Sequence, residues 1–248
     1  MNDKVKKENR RALPKFFLVI VLAGIFGGML GFGAGVAGRS GAAEAAAAWL
    51  EQFWRTVTPW AIPVSSAVLL GGGWRQYRAA GRLFAAWDGE DETAIDAADE
   101  KLNWALLLTA LTLILDFFFM AASQVYRMRA SLAVVGCFIL SMAAVTILQQ
   151  KTVDLTKRMN PEKRGSVYDM KFQKKWMESC DEAEQRQIGQ AAYRAYSVTT
   201  QACIGIWLAL VVLSFVFDLG ILPVFVVTLV WGIQQVSYIL ACIRLGKR

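Results

Sequence analysis

At 248 residues the chain is long enough for one or two soluble domains, yet 56% of it is hydrophobic and only 19% is charged. Soluble domains carry about a quarter charged residues, so the deficit excludes an ordinary water-soluble fold and points to a bilayer. A net charge of +7 would suggest nucleic acid in a soluble protein. In a membrane protein the retention of lysine and arginine on the cytoplasmic side accounts for it, and no nucleic-acid partner is expected.

The chain has no histidine, which removes the commonest general base and the commonest zinc ligand together. Cys137, Cys180, Cys203 and Cys242 lie far apart with no CxxC spacing. They read as small buried hydrophobes plus one cytoplasmic thiol. There is no Walker A, GxSxG or HExxH pattern, and the glycines of 31–35 lie within an apolar run where a phosphate loop has no place. No catalytic residue, metal ligand or cofactor is expected.

In chain order, a basic tail over 1–15 precedes a charge-free run over 16–38, long enough to span a bilayer. Its basic start and its small residues near 36–38 are shared with secretory signal peptides. The run is longer than a usual signal core and more spans follow, so it reads as a retained span. Gly24, Gly28, Gly31 and Gly35 fall on one helix face and predict close helix packing there. Over 39–57, Trp49, Leu50, Phe53, Trp54 and Val57 share a face with Glu51 and Arg55 off it, the pattern of a helix along the lipid–water boundary. The next charge-free run, 56–74, contains Pro59, Pro63 and three consecutive glycines, so it is the weakest span.

Residues 75–101 are polar, with Arg75, Arg78 and Arg82 on one helical face, a turn at Asp88-Gly89 and an acidic helix leading onward. Runs at 102–124 and 130–150 follow. A charged island fills 151–194, and the runs 195–217 and 219–243, joined by a turn at Asp218-Leu219-Gly220, lead to a basic tail. The expected fold is therefore all-α: a single integral membrane domain of six spans, with helical cytoplasmic loops and both termini cytoplasmic. Charge supports this count. Of the 27 lysines and arginines, 23 fall in the termini and alternate loops assigned to the cytoplasm, and four on the other side.

Asp116 is the one ionisable residue inside a span, and a charge at that depth costs about 2.5–3.5 kcal/mol unless it faces protein or water. Thr109, Thr112, Asp116 and Ser123 follow the helical repeat on one face; Thr228, Gln235 and Cys242 form a weaker stripe on the last span, with Gln234 adjacent. Two readings stand: the stripes line a polar path or a protonatable site, or Asp116, protonated or hydrogen-bonded to a glutamine or threonine of a neighbouring span, glues the bundle.

The 75–101 loop carries −3 and the island +3, so the two are expected to dock on one side of the membrane. Within the island, Asn160-Pro161 reads as a helix start and Lys163-Arg164-Gly165 as its end. Tyr168, Phe172 and Trp176 recur every four residues beside Lys171, Lys174 and Lys175, suiting an amphipathic helix on an anionic leaflet. Ser179 or Asp181 caps a further helix that runs into the fifth span.

The segments KKENRRALPKF, WDGEDE and above all VDLTKRMNPEKRGSVYDMKFQKKWMESCDEAE resemble an uncharacterised bacterial membrane protein family, domain of unknown function 3169. The resemblance covers nearly the whole chain. It implies an inner-membrane protein, mostly of Gram-positive bacteria, and carries no functional residues with it. The residues themselves favour a non-enzymatic accessory or regulatory membrane protein that binds a partner through its cytoplasmic loops. The alternative is a small transporter or permease subunit with a polar path around Asp116. A membrane-embedded enzyme is disfavoured by the missing histidines and the solitary carboxylate.

Overall fold

The computed structural model describes residues 41–89, 92–126, 131–217 and 219–245, together with parts of 13–35. Residues 1–12, 36–40 and 246–248, Gly31, Glu90, Asp91, the loop at 127–130 and Asp218 lie outside the described residues, as does much of the expected first span. All regular structure among the described residues is helical. The helices are α1 (Ala42–Ala85), α2 (Glu92–Val125), α3 (Ser131–Met159), the short α4 (Phe172–Glu178), α5 (Glu182–Leu213) and α6 (Leu222–Leu245). By length and composition, α2, α3, α5 and α6 can each cross a membrane. These four correspond to the last four expected spans. Prolines, serines and three glycines dilute the apolar run of α1, which does not reach the same mark.

The chain divides into two compact units, residues 51–188 and residues 1–50 with 189–248. In the first, the buried residues of α2 are Ala98, Leu102, Ala105, Thr109, Thr112, Asp116, Phe119 and Ser123, spaced alternately four and three apart. On α3 the same alternation runs through Val134, Ser141, Val145, Leu148, Thr152, Leu155 and Met159. A seam repeating every 3.5 residues is what two helices present when they pack side by side at a shallow angle. These seams are rich in alanine, serine and threonine, while Leu107, Leu111, Ile114, Ile139, Leu140 and Ile147 point outward. Small residues inside and large apolar ones outside is the arrangement lipid selects, because the bilayer solvates leucine as well as a neighbouring helix does.

α1 is one continuous helix, which corrects the expectation of a separate boundary helix over 39–57 followed by a span. No helix breaker separates the two stretches. The missing amide donors of Pro59 and Pro63 are offset by packing on either side, where Ala61 and Ile62 join Phe119 and Val134 in a buried cluster flanked by Trp54 and Val57. The aromatic face predicted there divides accordingly: Trp49, Leu50 and Phe53 are exposed, whereas Trp54 packs edge-on against Phe118.

Contacts fix the register of α1 on its neighbours. At one end the Arg55 guanidinium donates to the Tyr126 carbonyl (3.2 Å) and lies over the Tyr126 ring. At the other, a Cβ on Gly73 would stand 3.0 Å from Leu148 and 3.6 Å from the Ala105 carbonyl, and Lys151 lies over Trp74. The three helices thus run up, down and up, and each acquires its first charge at the same level, at Arg75, Lys101 and Lys151. Beyond that level they continue together, burying Ala80, Ala98, Leu102, Leu155 and Met159 in a common cluster.

The island begins differently from the sequence expectation. Asn160-Pro161 follows the end of α3 rather than starting a helix, because the buried seam carries α3 through its charged last turns to Met159 and proline then blocks continuation. Residues 160–171 form turns held to α3 by Gln150, whose side-chain oxygen accepts from the Ser166 hydroxyl (3.0 Å) and the Val167 amide (2.8 Å). Gly165 sits at φ +125°, and a Cβ there would collide with Phe172 at 2.8 Å, so glycine is required twice over. α5 opens on a reciprocal cap: the Glu184 amide donates to Asp181 (2.8 Å) and the Asp181 amide to Glu184 (3.0 Å). Ser179, the alternative cap, instead ends α4.

In the second unit α5 and α6 are joined by polar contacts. The Tyr196 hydroxyl donates to Gln235 (2.6 Å), the Gln235 amide donates to Thr200 (3.1 Å), and Tyr196 stacks on Tyr238 with ring centres 4.3 Å apart. α6 has no buried residue, and its leucines, valines and isoleucines are covered only if lipid or protein surrounds it.

Two glycines two residues apart test the register of α1. Gly73→Leu is expected to lower unfolding stability in detergent by roughly 1–3 kcal/mol through overpacking. Gly71→Leu, where a Cβ meets nothing within 4 Å, should be neutral or slightly stabilising, since leucine favours a helix more than glycine does. Thermal unfolding of the two variants makes the comparison.

Candidate functional site

Two polar constellations occupy the unit formed by 51–188. The first is Asp116, fully buried on α2. The Ser66 hydroxyl of α1 donates to its Oδ1 (3.0 Å), the Ser141 hydroxyl of α3 donates to its Oδ2, and the two serine oxygens lie 2.9 Å apart. All three side chains are buried near the middle of their charge-free runs. The companions on the predicted stripe are satisfied locally: Thr109 donates to the Leu106 carbonyl, Thr112 to that of Leu108 and Ser123 to that of Met120. Gln149 of α3 additionally donates to Thr109 (3.3 Å). Gln235, the candidate from the last span, belongs to the other unit and bonds Tyr196 and Thr200 there. The sequence pointed to glutamine or threonine as the partner of Asp116, and two serines take that place, their one signal being their shared depth in the neighbouring runs.

The second constellation is a cleft of about 1040 Å³ between the acidic start of α2, the end of α3, and the island. One wall carries Asp96, Asp99 and Glu100; the facing wall carries Phe172, Trp176, Met177, Cys180 and Lys163. Docking of the two charged segments is therefore present, but none of the ion pairs among the described residues joins 75–101 to the island. Apolar packing around Ala80 and Leu155 joins them instead, with Arg158 resting over Phe84.

Lys163 is the buried charge of this cleft. Its side chain is 4% exposed and pairs with Glu184, which is 39% exposed; its ammonium also lies 3.6 Å from the Cys180 sulfur. Burial pulls the Lys163 pKa down, but the hydrogen bond to Glu184, then the influence of Cys180 and Glu184, outweigh it and leave the group above the ordinary lysine value. With a raised folded value, the stabilisation is fully present below the usual lysine pKa and is lost only as pH climbs through the higher one. The pair persists across neutral pH.

The surface candidates of the island divide. Phe172 and Trp176 lean on each other (5.5 Å between centres) and line the cleft, while Tyr168, Lys171 and Lys175 face outward. Asp169 accepts from the Lys175 ammonium and the Lys171 amide, bonds that hold its pKa below the usual carboxylate value. That contribution exists above the ordinary aspartate pKa and fades as pH falls through the depressed one. Around Gly24, Gly28 and Gly35 a Cβ would meet nothing within 4 Å among the described residues. Among those residues no three acidic or cysteine side chains converge as metal ligands.

Among the described residues the fold is all-helical, and four helices long and apolar enough to cross a bilayer mark the chain as a membrane protein. The chain belongs to the family described as Protein of unknown function (DUF3169), which matches it over residues 10–242. No curated protein and no solved structure matches it.

Asp116→Ala, which leaves two buried hydroxyls without their acceptor, is expected to cost roughly 1–3 kcal/mol of stability, whereas Asp116→Asn retains an acceptor and should cost less than about 1 kcal/mol. Unfolding in detergent reads the difference. Lys163→Met is expected to destabilise by about 1–2 kcal/mol, the partial exposure of Glu184 reducing the penalty of a fully buried unpaired charge. Adding Glu184→Gln should restore part of that loss, and a double-mutant cycle measures the coupling.

Proposed function

We propose that this protein is a six-span bacterial cell-membrane protein with both termini in the cytoplasm. Its role is non-enzymatic: it holds a partner protein at the cytoplasmic face. The observation that carries this reading is the cleft itself, assembled from the same two charged segments that the sequence singles out. Tyr168 and Met170 stand exposed a few residues before Phe172, on the turn that Gln150 holds against α3. Apolar side chains left exposed at a folded loop suit contact with another protein.

The topology draws support from α1. Its charge-free stretch from Thr56 to Trp74 lies beside those of α2 and α3 from one end to the other, and helical rise makes it about 30 Å long, the thickness of a hydrocarbon core. The first span, the packing face of Gly24, Gly28, Gly31 and Gly35, and the cytoplasmic placement of the termini complete the proposal. A structural role for Asp116 fits better than a transport path, since its carboxylate is closed off by two serines and lines neither the cleft nor the groove beside Trp74 and Arg78.

Photo-crosslinking in native membranes tests the reading. A benzophenone side chain at Tyr168 or Met170 should yield one and the same discrete protein adduct, and at lipid-facing Leu132 none. Lipid adducts alone at all three positions would contradict a partner-binding face.

A further inference from the structure

We infer that Arg75, Arg78 and Arg82 of α1, with Lys151 of α3 and the ring of Trp74, form a binding site for the phosphate headgroup of an acidic phospholipid. The inference rests on α2 and α3 crossing a bilayer and is independent of the partner cleft.

Depth is the first argument. The contacts of Gly73 with Ala105 and Leu148 place Trp74 where α1, α2 and α3 all pass from uncharged to charged sequence. Tryptophan concentrates at that depth in membrane proteins, and headgroup phosphates lie there too. Geometry is the second. The arginines recur at intervals of three and four along one face, beside a groove of about 550 Å³ lined also by Gly71 and Gly81. Arg78 and Lys151 approach the Trp74 ring at 5.7 and 5.8 Å, so a second helix brings its cation to the same place.

Charge is the third. All three arginines are exposed, and among the described residues none forms an ion pair. The carboxylate on the Lys151 side, Asp154, is already engaged by Gln150 (2.8 Å) and Lys157 (3.9 Å). Guanidinium groups bind phosphate through paired donors, and basic residues at a leaflet surface gain affinity for anionic lipid one by one. A zwitterionic lipid supplies no net charge to match four cations.

Native mass spectrometry of the full chain, released from a neutral detergent and titrated with phosphatidylglycerol, phosphatidylcholine or inorganic phosphate, tests the site. Phosphatidylglycerol should bind wild type at least about tenfold more tightly than phosphatidylcholine. The R75Q/R78Q/R82Q variant should lose that preference, and K151Q should reduce it several-fold. A control with equal charge loss elsewhere, K171Q/R186Q/R194Q, should keep it. Circular dichroism confirms that each variant is folded; K151Q supplies the test should the triple variant not fold. Persistence of the preference in R75Q/R78Q/R82Q, or in K151Q where that is the variant tested, would overturn the site. So would equal loss in the control, or phosphate alone binding as tightly as the lipid.

Discussion

A carboxyl group near the middle of a charge-free helix has to be met by something polar, and here it is met by two serines from two other helices. The Asp116–Ser66–Ser141 junction sets the depth at which α1, α2 and α3 meet. Because helices are stiff, a register fixed at one level is fixed at both ends. The Arg55–Tyr126 contact and the Gly73–Leu148–Ala105 contact follow from it, as does the common level at which the three helices gain charge.

From that alignment comes the arrangement beyond the apolar zone. The helices keep packing past Arg75, Lys101 and Lys151, and the cleft lies between the α2–α3 pair and the island. The island is held as a shaped wall by unlike devices: Gln150 bonding two backbone and hydroxyl donors, a glycine at positive φ beneath Phe172, and the Lys163–Glu184 pair at the start of α5. Each is a local polar bond protected by apolar neighbours, so the wall is specified by several weak constraints acting together rather than by one strong one.

Much of this was legible in the sequence because lipid imposes simple rules. Charge-free length revealed the four strongest helices, the helical repeat put Thr109, Thr112, Asp116 and Ser123 on one face, and Asp181 was one of the two caps expected for the helix after the island. What was hidden is what periodicity does not encode. Ser66 and Ser141 look like any serine until the register of three helices is known. Asn160-Pro161 carries the same letters whether it begins a helix or follows one, and only the continued buried seam through Leu155 and Met159 decides. The pairing of Lys163 with Glu184 bridges turns that no repeat describes. Opposite net charges suggested docking of the loops correctly but for an incomplete reason, since alanine, leucine and methionine carry the contact.

The alignment of α1 with α2 and α3 is the claim on which the junction and the proposed topology stand. Its most direct test is thiol labelling of intact cells with an impermeant maleimide, using Gln52→Cys and Gln76→Cys one at a time in a cysteine-free chain. Reaction at position 52 and protection at position 76 until the membrane is permeabilised is the expected result. Equal reaction at both positions, or protection of both, would show that α1 does not cross between them.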